Sequence, residues 1–181
     1  SDDPDEDAYT LMQIDRFEQL AAVVQAGCDH PVMRHILNSS GIERFTDNQY
    51  EMVRLGIGLY GISVVNKKAL MNVSTLKTTV SQLRIVRPGD TIGYGRKGVA
   101  MGDMVIATLP IGYADGFNRH LGNGVGKVWI NGQLAPVVGN ICMDMCMVDV
   151  TNIDVKEGDR VIVFGKELPA SEMSEALGTI P

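Results

Sequence analysis

Leu11, Ile14, Phe17, Leu20 and Val24 recur at spacings of three and four, which predicts one apolar face of a helix. Thr10 and Gln13 read as a capping box for it, and Gly27 as its left-handed stop. The run Val32–Leu37 predicts a short buried strand, with Asn38–Gly41 as a polar loop after it. A second helix is predicted over 47–53, with Thr46 and Gln49 as its capping box. Leu55–Gly61 reads as a tight turn into a further buried strand. Helices between short apolar strands predict parallel β/α units.

From about residue 63 the pattern changes. Runs rich in Val, Ile, Thr and Leu fall at 73–86, 103–109, 126–130, 134–138, 141–150 and 160–164, with turn residues between them. Gly89-Asp90, Gly102-Asp103 and Gly158-Asp159 each precede a strand; glycine permits positive φ and aspartate can bond its own backbone. Ser171 is read as the cap of a short helix ending at Gly178. The fold class is therefore α+β and mainly β. Residues 1–62 form a partial β/α segment, and residues 63–181 an antiparallel β-barrel or sandwich. A closed eight-fold β/α barrel takes about 250 residues. The first region holds two or three such units. Either it packs on the β-region or it belongs to something longer.

Composition narrows the function classes. Apolar residues make up 45% and charged residues 21% of 181, which excludes general disorder. The net charge is -6, and five of the acids lie in the first seven residues. With those set aside the balance is nearly neutral, so no basic face for nucleic acid is expected. No apolar run approaches about 18 residues, so no membrane-spanning helix is expected. The acidic start is the opposite of a signal peptide, and a cytoplasmic location is expected. Cys28, Cys142 and Cys146 are an odd number without staple-like spacing, and Cys142 and Cys146 lack the geometry of a zinc pair. They are read as thiols in a reducing compartment, with no metal site.

Three segments carry candidate chemistry. Tyr113 sits in Ile111–Phe117, a two-glycine loop after an apolar run. A free tyrosine titrates near about 10, so one acting as a base needs a neighbouring cation. Arg54-Leu55-Gly56-Ile57-Gly58 can bring backbone N–H groups to an anion. Asn38–Gly41 lies at the end of the strand expected to carry His35, where β/α barrels keep their sites. Taken singly, each also reads as plain structure: a packed hairpin tyrosine, turn glycines, a strand histidine.

Together, His35-x-x-Asn38-Ser39, Met52–Ile57 with Leu59-Tyr60-Gly61, Gly93-Tyr94-Gly95, Pro110–Gly116 and Ile141–Asp144 occur in one order. That order closely resembles the C-terminal half of alanine racemase, a pyridoxal-phosphate enzyme family. The resemblance implies the remnant of a (β/α)8 barrel followed by an antiparallel β-barrel domain. It implies pyridoxal 5'-phosphate as cofactor, a small amino acid as substrate, D-alanine for peptidoglycan as product, and a homodimer whose sites are shared across the interface. Tyr113 resembles the catalytic tyrosine. Arg54 resembles the partner of the pyridine nitrogen, and Ser39 with the backbone of Gly56 and Ile57 resembles the phosphate ligands. His35 resembles a residue linked to that arginine, and Met143 and Asp144 resemble the lining of the substrate entrance. The family's Schiff-base lysine belongs to an earlier strand. Lys67, Lys68, Lys77, Lys97, Lys127, Lys156 and Lys166 fall in none of the matching motifs, so the isolated chain is expected to be inactive. Two other readings stand beside this one. A decarboxylase of the same architecture is the first, because Gly139–Cys142 resembles its cysteine loop. The second is a non-catalytic dimerisation β-domain.

Overall fold

A computed structural model describes all residues except Ser1, Val64, Lys67, Lys68, Ala69 and Pro181. The chain divides into two compact units, residues 1–73 and 74–181. Segment 63–73, read from sequence as the start of the β-region, groups with the first unit. One contact that holds it there is at Gly61, whose φ is +78° and where a Cβ would stand 2.0 Å from the Met71 carbonyl oxygen. Only glycine meets both conditions.

In the first unit, Asp3 accepts from the Asp5 N–H and starts a 3-10 turn that runs into α1 (Asp7–Ala26). The helix thus begins three residues ahead of Thr10. Thr10 is inside it, its hydroxyl donating to the Glu6 carbonyl at 3.0 Å. Gly27 ends the helix with φ -90°, a right-handed conformation, not the left-handed stop expected. Ile14 is the one buried residue of α1, whereas Leu11, Leu20 and Val24 of the same face are exposed, Leu20 at 66%.

The expected strand at 32–37 is absent among the described residues. A strand needs a partner to complete its hydrogen bonds. Here the N–H groups of Val32 and Arg34 donate instead to the side chains of Gln25 and Glu51, both at 2.8 Å. Asn38–Gly41 is not a loop: Asn38 caps α2 (Ser39–Arg44), its side chain accepting from the Gly41 N–H at 3.0 Å. The helix expected over 47–53 is replaced by a 3-10 turn at Thr46–Asn48. Tyr50 has φ +52°, which no right-handed helix can pass. Leu55–Gly61 leads into a 3-10 turn, Ile57–Tyr60, and not into a strand.

Charged groups fasten this unit. Arg44 forks onto Asp7 at 2.7 and 2.8 Å, tying α2 to the start of α1. Arg34 grips Glu51 through Nε and Nη2 and lies over the Tyr50 ring, 4.7 Å from its centre. The Tyr50 hydroxyl donates to Glu18 of α1 at 2.8 Å, and its ring tilts against Phe17. Arg34 holds the Glu51 carboxyl down to about 2, through side-chain and backbone hydrogen bonds.

The second unit is all antiparallel. One sheet has the order β1 (Leu76–Thr79), β9 (Arg160–Phe164), β6 (Lys127–Ile130), β7 (Gln133–Pro136). Another is β2 (Gln82–Val86), β5 (Met104–Leu109), β8 (Cys146–Asp149), and β3 (Thr91–Ile92) pairs with β4 (Gly98–Val99). The sheets join at two corners. Val80 donates to Asp159 while its neighbour Ser81 donates to Thr108. Val137 bridges Val148, and Val138 donates to Met147. The corners close an antiparallel barrel around Leu109, Ile130, Ile141, Val148 and Val163, all fully buried. Gly89 and Gly158 have φ +89°, and Asp90 and Asp159 accept from the backbone three residues earlier, as their turn pattern predicts. Gly102 does not share that conformation. The last helix, α3 (Ala170–Leu177), starts after Pro169 with Ser171 inside it, and Gly178 stops it at φ +62°.

Candidate functional site

Two of the candidates of the first unit, Ser39 and Gly56, meet at one hydroxyl. Ser39 is buried at the first position of α2, 7% exposed, and its Oγ accepts from the N–H of Gly56 at 2.9 Å and of Gly58 at 3.1 Å. A hydroxyl oxygen has two lone pairs and one proton. Both acceptor positions are filled, so the Ser39 proton is left to donate outward. The Ile57 N–H opens the next 3-10 turn and donates to no carbonyl among the described residues. A hydroxyl proton and a backbone N–H side by side form a donor set suited to an anion.

Arg54 begins the same segment. Its backbone N–H donates to Leu37 at 3.0 Å and its Nη2 to the Ile36 carbonyl at 2.9 Å. The other guanidinium N–H groups have no partner among the described residues. The arginine is therefore anchored by the 36–37 backbone. His35 is exposed and has no hydrogen bond to Arg54 among the described residues. Lys67 and Lys68 lie outside the described residues.

Tyr113, Met143 and Asp144 come together in the second unit. Gly112 precedes a 3-10 turn, Tyr113–Asp115, and the Asp115 carboxylate accepts from the Gly112 N–H at 2.9 Å. Tyr113 N–H donates to the Cys142 carbonyl and Ala114 N–H to the Met143 carbonyl, each at 3.0 Å. The turn and the 142–143 loop are thus stitched together. At Gly112 a Cβ would stand 2.2 Å from the Met143 oxygen. This close approach explains the glycine, since φ here is an ordinary -142°. Tyr113 stands 47% exposed on that support. Beside it, Gly93, Tyr94, Cys142, Met143, Asp144, Met145 and Met147 line a hollow of about 380 Å³.

Sequence reasoning missed Asp115 as the anchor of the tyrosine turn. The Gly-x-x-Asp spacing at 112–115 is the signal that could have found it. It also missed Tyr94 beside the hollow, although Gly93-Tyr94-Gly95 was among the matching motifs. Asn140 donates to the Tyr94 carbonyl at 3.0 Å and holds that loop in place. All three cysteines are free. Burial pushes the Cys146 thiol up to about 12, whereas Cys142 borders the hollow.

The family described as "Alanine racemase, C-terminal domain" matches residues 73–181, and "Alanine racemase, N-terminal domain" matches residues 1–64. Alanine racemase 1 of Clostridium acetobutylicum is 41% identical over 182 residues, covering 95% of this chain and 47% of its own length. A solved alanine racemase of Clostridium difficile 630 in complex with cycloserine superposes with a TM-score of 0.87 at 39% identity, over 96% of this chain and 48% of that one. The Bartonella henselae alanine racemase with covalently bound pyridoxal phosphate gives 0.77 at 35% identity, over 92% and 48%. The chain spans about half the length of the curated relatives it matches.

Proposed function

We propose, because this chain belongs to the alanine racemase family, that the protein it represents interconverts L-alanine and D-alanine with pyridoxal 5'-phosphate. The observation that carries this reading is the Ser39 hydroxyl, saturated as an acceptor by Gly56 and Gly58 and so poised to donate. Those groups fit a phosphate ester. When bound, pyridoxal phosphate supplies an electron sink that lets a proton leave the alpha carbon of an amino acid.

The residues of this chain would do the rest. Ser39 and the backbone N–H of Ile57 would hold the phosphate, and the Gly56 N–H, engaged on Ser39, would aim its hydroxyl. Arg54 would donate to the pyridine nitrogen without giving up its proton, because guanidinium stays charged, and would so keep the electron sink weak and limit side reactions. Tyr113 takes or returns a proton on one face of the alpha carbon, and racemisation needs a second acid/base group on the other. Met143 and Asp144 border the path of the substrate. His35 acts on Arg54 only through the backbone of 36–37 that anchors it.

The biological setting extends the same proposal. The enzyme is a cytoplasmic homodimer in which Tyr113 of one subunit serves the cofactor of the other, and its D-alanine enters peptidoglycan. The 181-residue chain alone is inactive, for want of a Schiff-base lysine. Among the described residues no helix is long and apolar enough to cross a membrane.

The test is to incubate the full-length protein with L-alanine and pyridoxal phosphate and to resolve the products on a chiral column. D-alanine approaching an equal mixture supports the proposal. Release of CO2 with ethylamine, or no turnover of either enantiomer, overturns it.

A further inference from the structure

Asn131 and Gly132 are the whole connection between β6 and β7. Their φ values, +45° and +90°, are those of a type I′ hairpin turn, for which Asn-Gly is the favoured pair. Both residues are exposed, and nothing lies within 4 Å of a Cβ added at Gly132. The Gly132 N–H donates to no acceptor among the described residues. Asn131 is engaged through its side chain instead. Its Nδ2 donates to the Asp154 carbonyl and to Asp159 Oδ2, each at 2.9 Å. Asp159 Oδ2 also accepts from the Lys156 N–H at 3.0 Å. The Lys156 bond first, and then the Asn131 bond, hold the Asp159 carboxyl below the usual range. The Asp159 carbonyl in turn takes the Val80 N–H at one corner of the barrel. One side-chain amide thus latches the hairpin tip to the turn that leads into β9.

Glycine places no side chain over its own nitrogen, so an asparagine before it is the one least shielded from losing its amide. We propose that Asn131 is a modification site, at which deamidation replaces the latch by two facing carboxylates. The Gly132 nitrogen attacks Asn131 Cγ; an N–Cγ bond forms and the Cγ–Nδ2 bond breaks. The Gly132 amide proton and the NH2 group leave together as ammonia. Water then opens the cyclic imide to aspartate or isoaspartate, and nothing is oxidised or reduced. The product has no donor for Asp154 or Asp159. Like charges at that range repel, so the turn before β9 loosens, and the corner at Val80 with it. The other Asn-Gly pair, Asn123-Gly124, is protected where this one is open. The Gly124 N–H donates to the Val137 carbonyl at 2.7 Å and the Asn123 N–H to the Gly139 carbonyl at 2.8 Å. Asn123 Nδ2 donates to Asn140 at 3.1 Å. Attack there has to break two backbone bonds and a side-chain bond, whereas attack at 131 releases only a surface side chain. The inference concerns the lifetime of the fold and stands apart from racemisation.

The experiment incubates the folded full-length protein at pH 8 and follows both sites by the masses of their peptides. One net hydrogen bond corresponds to a factor of about five, so Asn131 should convert about fivefold faster than Asn123, or more. Equal rates, a faster Asn123, or an Asn131 still intact when a denatured sample has fully converted would overturn the proposal. This arm uses the unaltered sequence and depends on no variant folding. A second arm tests the consequence. Asn131→Asp imitates the product, and Asn131→Gly removes the latch without adding charge while allowing the positive φ. The first should melt lower than the second. Adding Asp159→Asn to the first should recover the difference, because an amide at 159 can donate back to the new carboxylate. If Asn131→Asp melts as high as Asn131→Gly, or if Asp159→Asn recovers nothing, the facing carboxylates are not what loosens the turn and the proposal fails.

Discussion

Gly112→Ala isolates the support beneath Tyr113. With φ at -142°, alanine has no backbone objection to the position, so any effect comes from space alone. The new methyl would stand 2.2 Å from the Met143 oxygen and 2.4 Å from the Cys142 oxygen, both backbone atoms. Ordinary contact begins at 3.4 Å, so the 142–143 loop has to retreat by roughly an ångström. The bonds from Tyr113 and Ala114 to that loop, now 3.0 Å, would then stretch to about 4 Å and cease to be hydrogen bonds. Two backbone bonds at about 1 kcal/mol each, with about 1–3 kcal/mol for overpacking, give a loss of about 3–5 kcal/mol. For a domain of this size that lowers the melting temperature by roughly 10–20 °C. Gly116→Ala is the control. Its φ is +92° but nothing lies within 4 Å of the added carbon, so it carries only the left-handed penalty of about 1–2 kcal/mol. Thermal melts of the full-length protein read the totals, and hydrogen exchange at the Tyr113 and Ala114 amides locates the damage. If Gly112→Ala melts no lower than Gly116→Ala, or if those two amides keep their protection, the packing argument is wrong.

Three further outcomes follow from the geometry. Glu51 has a folded pKa of about 2 against an ordinary 4.5. Its contribution is whole above 4.5 and disappears as the pH falls toward 2. The packing of Tyr50 and Phe17, followed by near-ultraviolet circular dichroism, should loosen across that window, and Glu51→Gln should abolish the pH step. Iodoacetamide at pH 8 should alkylate Cys28, which is part-exposed, and leave Cys146 untouched until the protein unfolds, because burial holds that thiol protonated up to about 12. Early labelling of Cys146 in mass-mapped peptides would contradict this. If the proposed function holds, Tyr113→Phe in the full-length protein should sharply reduce racemisation yet leave slow alpha-proton exchange from D-alanine in deuterated water. Equal loss of both would deny Tyr113 its one-face role.

The β-unit was far more legible in the sequence than the β/α unit, for a physical reason. Runs such as 126–130 and 160–164 alternate against a core that the same unit supplies, so local pattern and final partner agree. β3 and β4 escaped notice because two residues are too few to show a period. At 32–37 the apolar signal is equally strong, but the hydrogen bonding it calls for is met by the side chains of Gln25 and Glu51 and not by a strand. Tyr50 broke the helix expected across it by a positive φ that no spacing rule foresees. Within the site, the order of motifs marked Ser39, Arg54 and Tyr113. The hydroxyl hub at Ser39 and the carboxylate anchor at Asp115 are properties of three-dimensional closure, and only the folded chain reveals them.

The outward ridge on α1 matters for how such a chain fares at working concentrations. Leu20, Val23 and Val24 form a greasy flank near the end of a helix whose other end begins in a cluster of acids. Hydrophobic attraction weakens on cooling, and repulsion between exposed charges is screened beyond about 10 Å at 0.1 M salt. Solubility then becomes a contest between two ends of one element. Chilling and low salt favour dispersal, whereas warming and high salt favour clumping. In a cell, a holdase that clasps apolar segments would find its grip on this flank, and the lifetime of the uncovered form would be set by triage more than by folding.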